Sequence, residues 1–198
     1  MKRTIVIMMS LCLIALFGCS DDSEVDTEAA RKNQAEGWAA YNRGDFAAAL
    51  LGFERAINLD AALADAHNGL GWSHLSASRV SSMNPQIIAK AQEGFEEAIR
   101  LDASNADAWI GLANTLFLRR EHASDFQTAL RAIDNALKAD HRTLFRHDYQ
   151  SAADLYALRA ICYYYLGETE LANASIETAI KTDPKNAAAL SLGQLLRF

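Results

Sequence analysis

Proline, cysteine and clusters of basic residues are all scarce in this chain of 198 residues. It has two proline and three cysteine residues, and its acidic residues outnumber its basic ones by 25 to 19. An acidic surface without a basic cluster argues against binding to nucleic acid or to anionic lipid headgroups, because both repel negative charge. The longest apolar run, Ile5 to Phe17, is shorter than the roughly 20 residues that a membrane-spanning helix needs.

That apolar run follows two basic residues near the N terminus and is typical of a signal peptide. It ends in Leu16-Phe17-Gly18-Cys19, which resembles the processing site of bacterial lipoproteins. In that site a small residue precedes a cysteine that is lipidated and becomes the mature N terminus. The resemblance implies a signal peptide over residues 1–18 and a lipidated Cys19. The alternative is an ordinary cleaved signal peptide in which Cys19 has no role.

The residues after Cys19 predict how the protein is attached. Ser20 stands where an aspartate would favour the inner membrane in the sorting of Gram-negative lipoproteins, so we expect the periplasmic face of the outer membrane. Five acidic residues and almost no apolar ones follow as far as Glu28, so this stretch cannot bury enough surface to fold alone. We therefore predict that residues 19–29 form a lipidated, flexible, acidic tether.

The cysteines leave no internal disulfide. Cys12 lies in the predicted signal peptide and Cys19 would carry lipid, so Cys162 remains alone. It stands in an apolar segment, Ala160 to Tyr163, and is predicted to be a buried small hydrophobic residue.

The rest of the chain repeats one pattern four times. A bulky apolar residue is followed by two polar residues, an alanine and an aliphatic residue, and an aspartate comes three positions later. The copies centre on four alanines: Ala56, Ala98, Ala136 and Ala179. Their spacing of about 40 residues fits a helical-hairpin repeat of about 34 residues with insertions. Another alanine lies two helical turns earlier in each copy, so small residues share one helix face and let antiparallel helices approach closely.

Several local motifs accompany this pattern. They are Gly44-Asp45-Phe46, Gly167-Glu168-Thr169, Ala64-Asp65-Ala66-His67, Ala106-Asp107-Ala108-Trp109 and Asp183-Pro184. With the repeats they resemble the tetratricopeptide repeat family from about Ala30 to Asn186. The resemblance implies an all-α fold: a right-handed superhelix of about four helical hairpins with a C-terminal capping helix. It departs from the family at Asn33, where a tryptophan is usual, and at three lengthened places.

The predicted boundaries follow from the repeats. The domain spans residues 30–198, with repeats at about 30–63, 64–105, 106–143 and 153–186 and a capping helix at 187–198.

The resemblance also implies a binding surface, because the first helix of each hairpin lines the concave face of the superhelix. The predicted partner-binding residues are Trp38, Tyr41, Asn68, Trp72, Leu75, Asn114, Phe117, Ile161 and Tyr164. Large aromatic side chains suit an extended or helical peptide. The alternative is that these rings pack as core. Lysine and arginine are nearly absent from the groove positions, so a clamp for a terminal carboxylate is not expected.

Two insertions interrupt the regular pattern. Ser76 to Pro85 is rich in serine and predicted to be a flexible loop, with Pro85 starting the next helix. His141 to Tyr149 holds two histidines, two arginines and an aspartate, but no metal-ligand spacing. We expect a local network there, with Asp148 capping the following helix.

No nucleophile, base and oxyanion arrangement and no phosphate-binding glycine loop is found, so we predict no enzymatic activity, no catalytic or metal residues and no cofactor. The leading hypothesis is a lipid-anchored scaffold of the bacterial cell envelope that binds an unknown protein or peptide, but not nucleic acid, through its concave face. The alternative is an accessory or regulator of peptidoglycan enzymes, or a glycan-binding module, since aromatic grooves also stack on sugars.

Overall fold

The structure, a computed structural model, describes residues 22–80, 84–139 and 148–196. The predicted signal peptide and Cys19 lie outside these residues, as do His141 and His147. The helices of the described residues are α1 (Asp22–Asn42), α2 (Phe46–Leu59), α3 (Ala64–Val80), α4 (Pro85–Leu101), α5 (Ala106–Arg119), α6 (Ala123–Lys138), α7 (Ala152–Tyr165), α8 (Thr169–Thr182) and α9 (Ala187–Leu196).

Consecutive helices pair into four hairpins: α1 with α2, α3 with α4, α5 with α6, and α7 with α8. Each hairpin packs on the next, and α9 packs on both helices of the last one. Ala189 of α9 is buried beside Ala153 and Ala179. The predicted all-α superhelix of four hairpins with a C-terminal capping helix is therefore confirmed.

The repeated alanines form the contact surface between helices. The four central ones, Ala56, Ala98, Ala136 and Ala179, have no exposed surface. Phe53 of α2 inserts against Gly37 of its own hairpin and Gly69 of the next: a Cβ atom at Gly37 would lie 2.8 Å from the ring, and one at Gly69 closer still. The next hairpin repeats the arrangement, with Phe95 against two glycines, Gly71 and Gly111. Bulky residues of the second helices thus lock into gaps left by glycines of the first.

Glycines also make the tight turns inside two hairpins. Gly44 and Gly167 have φ values of 76° and 79°, in the left-handed region that favours glycine. Asp45 then caps α2 by accepting a hydrogen bond of 3.0 Å from the backbone N–H of Ala48. These turns confirm the motifs read from the sequence. The third hairpin turns at Arg120 instead, with φ of 33°.

The turns that follow the first, second and fourth hairpins share one construction. The aspartate that closes the repeated pattern accepts a hydrogen bond from the backbone N–H two residues later, and its own N–H bonds to the carbonyl of the key alanine. These aspartates are Asp60, Asp102 and Asp183. The connection from α6 to α7 is longer and carries the insertion.

Two predicted flexible segments are partly helical. α1 begins at Asp22, so residues 22–29 continue the helix instead of forming a flexible tether. Ala30 at the end of this stretch is fully buried, and the alanine and glutamate residues before it favour helix. Likewise α3 runs to Val80, so the first part of the predicted serine-rich loop lies on a helix, while Ser81 and Ser82 lie outside the described residues. Ser76 and Ser78 are buried there. Pro85 does begin α4, as predicted.

Candidate functional site

The first helices of the hairpins form the inner side of the array. α1 contacts α3, and α3 contacts α5, in addition to the contacts inside and between neighbouring hairpins. α5 and α7 make no comparably close approach, whereas α7 contacts α9. The concave face therefore has a continuous wall of α1, α3 and α5, and a wider gap before α7.

Three predicted partner-binding residues on α3 prove to be core. Asn68, Trp72 and Leu75 have no exposed surface. The Trp72 ring meets Phe95 edge to face, with ring centroids 5.4 Å apart. A partner therefore cannot contact these side chains on the concave face of this structure. The expectation that they line an open groove is corrected, because the structure buries all three completely.

Polar side chains on this inner layer bond from one hairpin to the next. Gln34 and Trp38 of α1 donate hydrogen bonds of 2.7 and 2.9 Å to Asp65 at the start of α3. Asn68 of α3 donates one of 2.8 Å to Asp107 at the start of α5. In the structure these aspartates fix the register between hairpins, and Trp38 takes part in that bonding.

Tyr41 is the next predicted binding residue, and it bonds to the chain itself. Its hydroxyl lies 3.0 Å from the Ser76 hydroxyl and donates to the Asp148 carboxylate at 3.4 Å. Arg79 of α3 forms an ion pair of 3.5 Å with the same carboxylate. Burial raises the pKa of Tyr41 above its usual range, so the hydroxyl stays protonated and available as a donor.

Tyr149, the residue after Asp148, also points into the concave side. It packs against the main hydrophobic core, close to the side chain of Asn114 on α5. Burial raises its pKa as well. We call Asp148 and Tyr149 the groove segment. This pair contacts α1, α3 and α5 and covers the part of the concave face where Tyr41 and Asn114 were expected to meet a partner.

The groove segment does not cap α7, contrary to the expectation for Asp148. Ser151 is the cap: its hydroxyl accepts a hydrogen bond of 3.2 Å from the backbone N–H of Ala153. Asp154 in turn accepts from the backbone N–H groups of Gln150 and Ser151. A capping box of α7 thus holds the segment at its C-terminal side and leaves Asp148 to bond across the groove.

A pocket of about 300 Å³ remains beside the groove segment, on the side of α7. Its lining is Arg79, Asp148, Tyr149, Asp154, Ala157, Leu158, Ile161 and Ala188. Of the predicted partner-binding residues, only Ile161 lines it, and Ile161 is half-buried. The pocket combines an apolar floor from α7 with carboxylates and a guanidinium at the rim, which is suitable for a peptide side chain and its neighbouring backbone.

The remaining two predicted residues lie in a separate aromatic cluster at the C-terminal ends of α5 and α7. Phe117 and Tyr164 are joined through Tyr165, with ring centroids 6.2 and 5.9 Å from it. Tyr165 also stacks on Phe126 at 5.1 Å, with an interplanar angle of 4°. Tyr164 and Tyr165 are 46% and 53% exposed. Sequence reasoning missed Tyr165, although it stands directly after Tyr164 in a run of three tyrosines.

Reactive or metal-binding groups are not assembled in the part of the chain that the structure describes. No cluster of three histidine, cysteine or acidic residues is placed to hold a metal ion there. Cys162 is fully buried as predicted, and burial raises its pKa to about 12, which keeps the thiol protonated at neutral pH. Across the same residues, every helix is too short or too polar to cross a membrane.

Comparison with known proteins identifies the repeat. Residues 35–82 and 88–136 match the family model described as tetratricopeptide repeat. No curated protein matches the chain. The chain resembles a solved MamA structure at 20% identity, over 85% of this chain and 81% of that one, with a TM-score of 0.66.

Two other solved structures agree. The pilF protein of Pseudomonas aeruginosa is 16% identical over 87% of this chain and 69% of that one, with a TM-score of 0.67. YrrB, described as a TPR protein with an unusual peptide-binding site, is 19% identical over 88% and 82%, with a TM-score of 0.61. At identities this low, the likeness shows a common fold and nothing more.

Proposed function

We propose that this chain, which is a tetratricopeptide-repeat protein, is a lipid-anchored scaffold of the bacterial cell envelope that binds an extended protein segment at the α7 side of its concave face. A tetratricopeptide-repeat fold implies a scaffold for protein or peptide binding. The finer parts of the proposal are the anchor, the envelope and the position of the site.

The observation that carries the binding site is the pocket between the groove segment and α7. Elsewhere on the inner layer, the predicted binding residues Asn68, Trp72 and Leu75 are buried, and Tyr41 bonds to the groove segment. At the pocket, Ile161 and Leu158 present an apolar floor beside Arg79 and the Asp148 carboxylate. A partner segment could place one apolar side chain on this floor and bond its backbone to the polar rim.

The observation that supports the anchor is in the sequence. Cys19 follows an apolar run and a glycine in the arrangement of a lipoprotein processing site. Several acyl chains on one residue hold a protein on a membrane almost permanently, since each buried methylene contributes about 0.8 kcal/mol. α1 begins three residues after Cys19, so a lipidated chain would hold the repeats near the membrane surface.

A crosslinking experiment tests the binding site. A photoreactive amino acid replaces Ile161 in cells, and Leu171 is replaced in a matched control. Leu171 is 47% exposed and lies on α8, a second helix outside the pocket lining. We expect a defined protein adduct from position 161 and none of the same size from position 171. Equal adducts from both positions, or none from 161, would sink the proposed site.

Metabolic labelling with a radioactive fatty acid tests the anchor. The wild-type chain should incorporate label and fractionate with outer membranes, whereas Cys19→Ala should do neither. A wild-type chain that remains unlabelled would refute lipidation, and a labelled chain in the inner membrane would refute the sorting proposal alone.

The glycan-binding alternative is favoured by one observation, the aromatic cluster of Phe117, Tyr164 and Tyr165, in which the two tyrosines are exposed. Sugar rings stack on exposed aromatic faces. Calorimetry with soluble peptidoglycan fragments separates the two functions. Heat of binding that disappears in Tyr164→Ala and persists in Ile161→Arg would support glycan binding at the cluster, and absence of heat in the wild type would exclude it.

A further inference from the structure

The groove segment is held by side chains from three different first helices. Asp148 takes a hydrogen bond from Tyr41 of α1 and an ion pair from Arg79 of α3, and Tyr149 packs on the core beside Asn114 of α5. In sequence these partners lie 107, 69 and 35 residues away from the segment. Side chains from three hairpins converge on these two residues, as they would on a peptide bound in the groove.

The contacts of the groove segment define which peptide residues this surface can recognise. A carboxylate is met by a guanidinium and a phenolic hydroxyl, and the next residue places an aromatic ring on the core beside an amide side chain. Charge-assisted and aromatic contacts of this kind discriminate among peptide sequences. The acceptor surface therefore selects an acidic residue followed directly by an aromatic one.

Two of the contacts of Asp148 are long. The ion pair with Arg79 spans 3.5 Å, and its side chains are 44% and 31% exposed. The hydrogen bond from Tyr41 is long at 3.4 Å. Exposed ion pairs contribute little to stability. The groove segment can compete with a partner for this surface mainly because it is tethered to it, which gives the segment an effective concentration on the order of millimolar.

We propose that Asp148 and Tyr149 are an intramolecular ligand of the concave groove, and that the partner segment which replaces them is an extended one carrying an acidic residue followed by an aromatic residue. This inference rests on the proposed function, because it names the chemistry of the segment that binds there. The α7 pocket adjoins the groove segment through Arg79, Asp148 and Tyr149, so an incoming segment can bind first in the pocket and then displace the pair.

Fluorescence anisotropy tests the proposal with the full chain, purified in detergent. The probe is a labelled peptide with the sequence of residues 147–152, His-Asp-Tyr-Gln-Ser-Ala. Tyr149→Ala removes the aromatic part of the tethered ligand, so it should bind the peptide at least ten times more tightly than the wild type. Asp148→Lys places a cation beside Arg79 at an exposed position, where folding is not at risk, and should also increase affinity.

Two controls make the test specific. Gln150→Lys makes a comparable substitution at an exposed position outside these side-chain contacts, and its affinity should equal that of the wild type. A peptide with lysine and alanine in place of its aspartate and tyrosine should bind neither variant. Circular dichroism establishes that each variant is folded.

The outcomes separate this inference from the proposed function. If folded Tyr149→Ala and Asp148→Lys bind the peptide no more tightly than the wild type, the groove segment is not a ligand, even when position 161 captures a partner. If both bind tightly while position 161 captures none, the intramolecular ligand stands and the scaffold function fails. Equal binding of the altered peptide would overturn the acidic-aromatic preference.

Discussion

Single side chains divide into those that hold the hairpins together and those that remain accessible. Trp72 and Tyr164 illustrate the division, because both were expected on one binding surface. Trp72 has no exposed surface and packs on Phe95, whereas Tyr164 is 46% exposed. Two residues predicted on one surface therefore become a core residue in the middle of the array and a surface residue in the last hairpin.

The first prediction follows from this contrast. Trp72→Ala removes a buried indole and leaves a cavity, so it should destabilise the protein by about 3–5 kcal/mol. Tyr164→Ala is the matched control and should change stability by no more than about 0.5 kcal/mol, since its ring is half exposed. Urea denaturation followed by circular dichroism measures both. Similar losses for the two variants would show that the burial of Trp72 is not what stabilises α3.

A second prediction concerns Asp125 at the start of α6. Its carboxylate accepts from Arg119 at 2.5 Å and from the backbone N–H groups of Glu121 and His122 at 3.0 and 3.2 Å. The hydrogen-bonded Arg119 guanidinium holds the pKa of Asp125 below its usual range. A carboxyl with a lowered folded-state pKa contributes stability above its unfolded pKa of about 3.9. That contribution is lost as the pH falls towards the lower folded value.

Asp125→Asn should therefore be less stable than the wild type by about 1–3 kcal/mol at pH 7, and the difference should shrink as the pH falls below about 4. Denaturation midpoints between pH 3 and pH 7 check this. Glu97→Gln is the control, because its ion pair with Arg100 is exposed and its loss should have little effect at any pH. A difference that grows in acid would contradict the account.

At the scale of helices, glycines decide how closely two of them approach. A Cβ atom at Gly94 of α4 would lie 2.8 Å from the backbone nitrogen of Gly71 in α3. At Gly193 of α9 the nearest atom would be a methyl of Ile176, at 3.4 Å. A Cβ atom at Gly94 would meet backbone that cannot move aside, whereas one at Gly193 would lie at an ordinary contact distance.

Gly94→Ala should accordingly destabilise the protein by about 1–3 kcal/mol despite the better helix propensity of alanine. Gly193→Ala should stabilise it by about 0.5–1 kcal/mol, because propensity is gained without a clash. Thermal denaturation of the pair is the measurement. Stabilisation of both variants would mean that the α3–α4 contact is looser than described.

The capping helix gives a prediction about a whole element. α9 covers Ala153, Ala160, Ile176 and Ala179 of the last hairpin. Deletion from residue 187 onwards exposes this apolar surface and should cost roughly 2–4 kcal/mol and shift the protein towards aggregates in size-exclusion chromatography. Leu195→Ala, at a residue 69% exposed on the same helix, should leave the elution volume unchanged. A truncated chain that stays monomeric and equally stable would refute a capping role.

The elements differ in how far the sequence could predict them. The hairpins were predictable because alanine spacing, the turns at Gly44 and Gly167 and the helix starts at Ala64 and Ala106 are local signals. The helical state of residues 22–29 was not, since the acidic, apolar-poor composition of this stretch indicates disorder, whereas its glutamates and Ala29 favour helix and the chain continues directly into buried Ala30.

The candidate site was less predictable than the fold. The residues of the first helices repeat at equal spacing, but burial depends on what lies across from each one, which no local pattern records. The placement of Tyr149 beside Asn114 depends on the path of an insertion, and the bond from Tyr41 to Asp148 joins residues 107 apart in the chain. Contacts of this range are determined by the assembled array.

For the whole molecule, the central claim is that partners bind at the α7 side of the concave face, where the pocket beside the groove segment is open. Once the partner has been captured, its affinity for purified variants measures this most directly. Ile161→Arg fills the pocket while its charged end reaches solvent, and Leu171→Arg makes the same change on α8. The account predicts at least a tenfold loss of affinity for Ile161→Arg and wild-type affinity for Leu171→Arg, with equal denaturation midpoints. Wild-type affinity in a folded Ile161→Arg protein would contradict it.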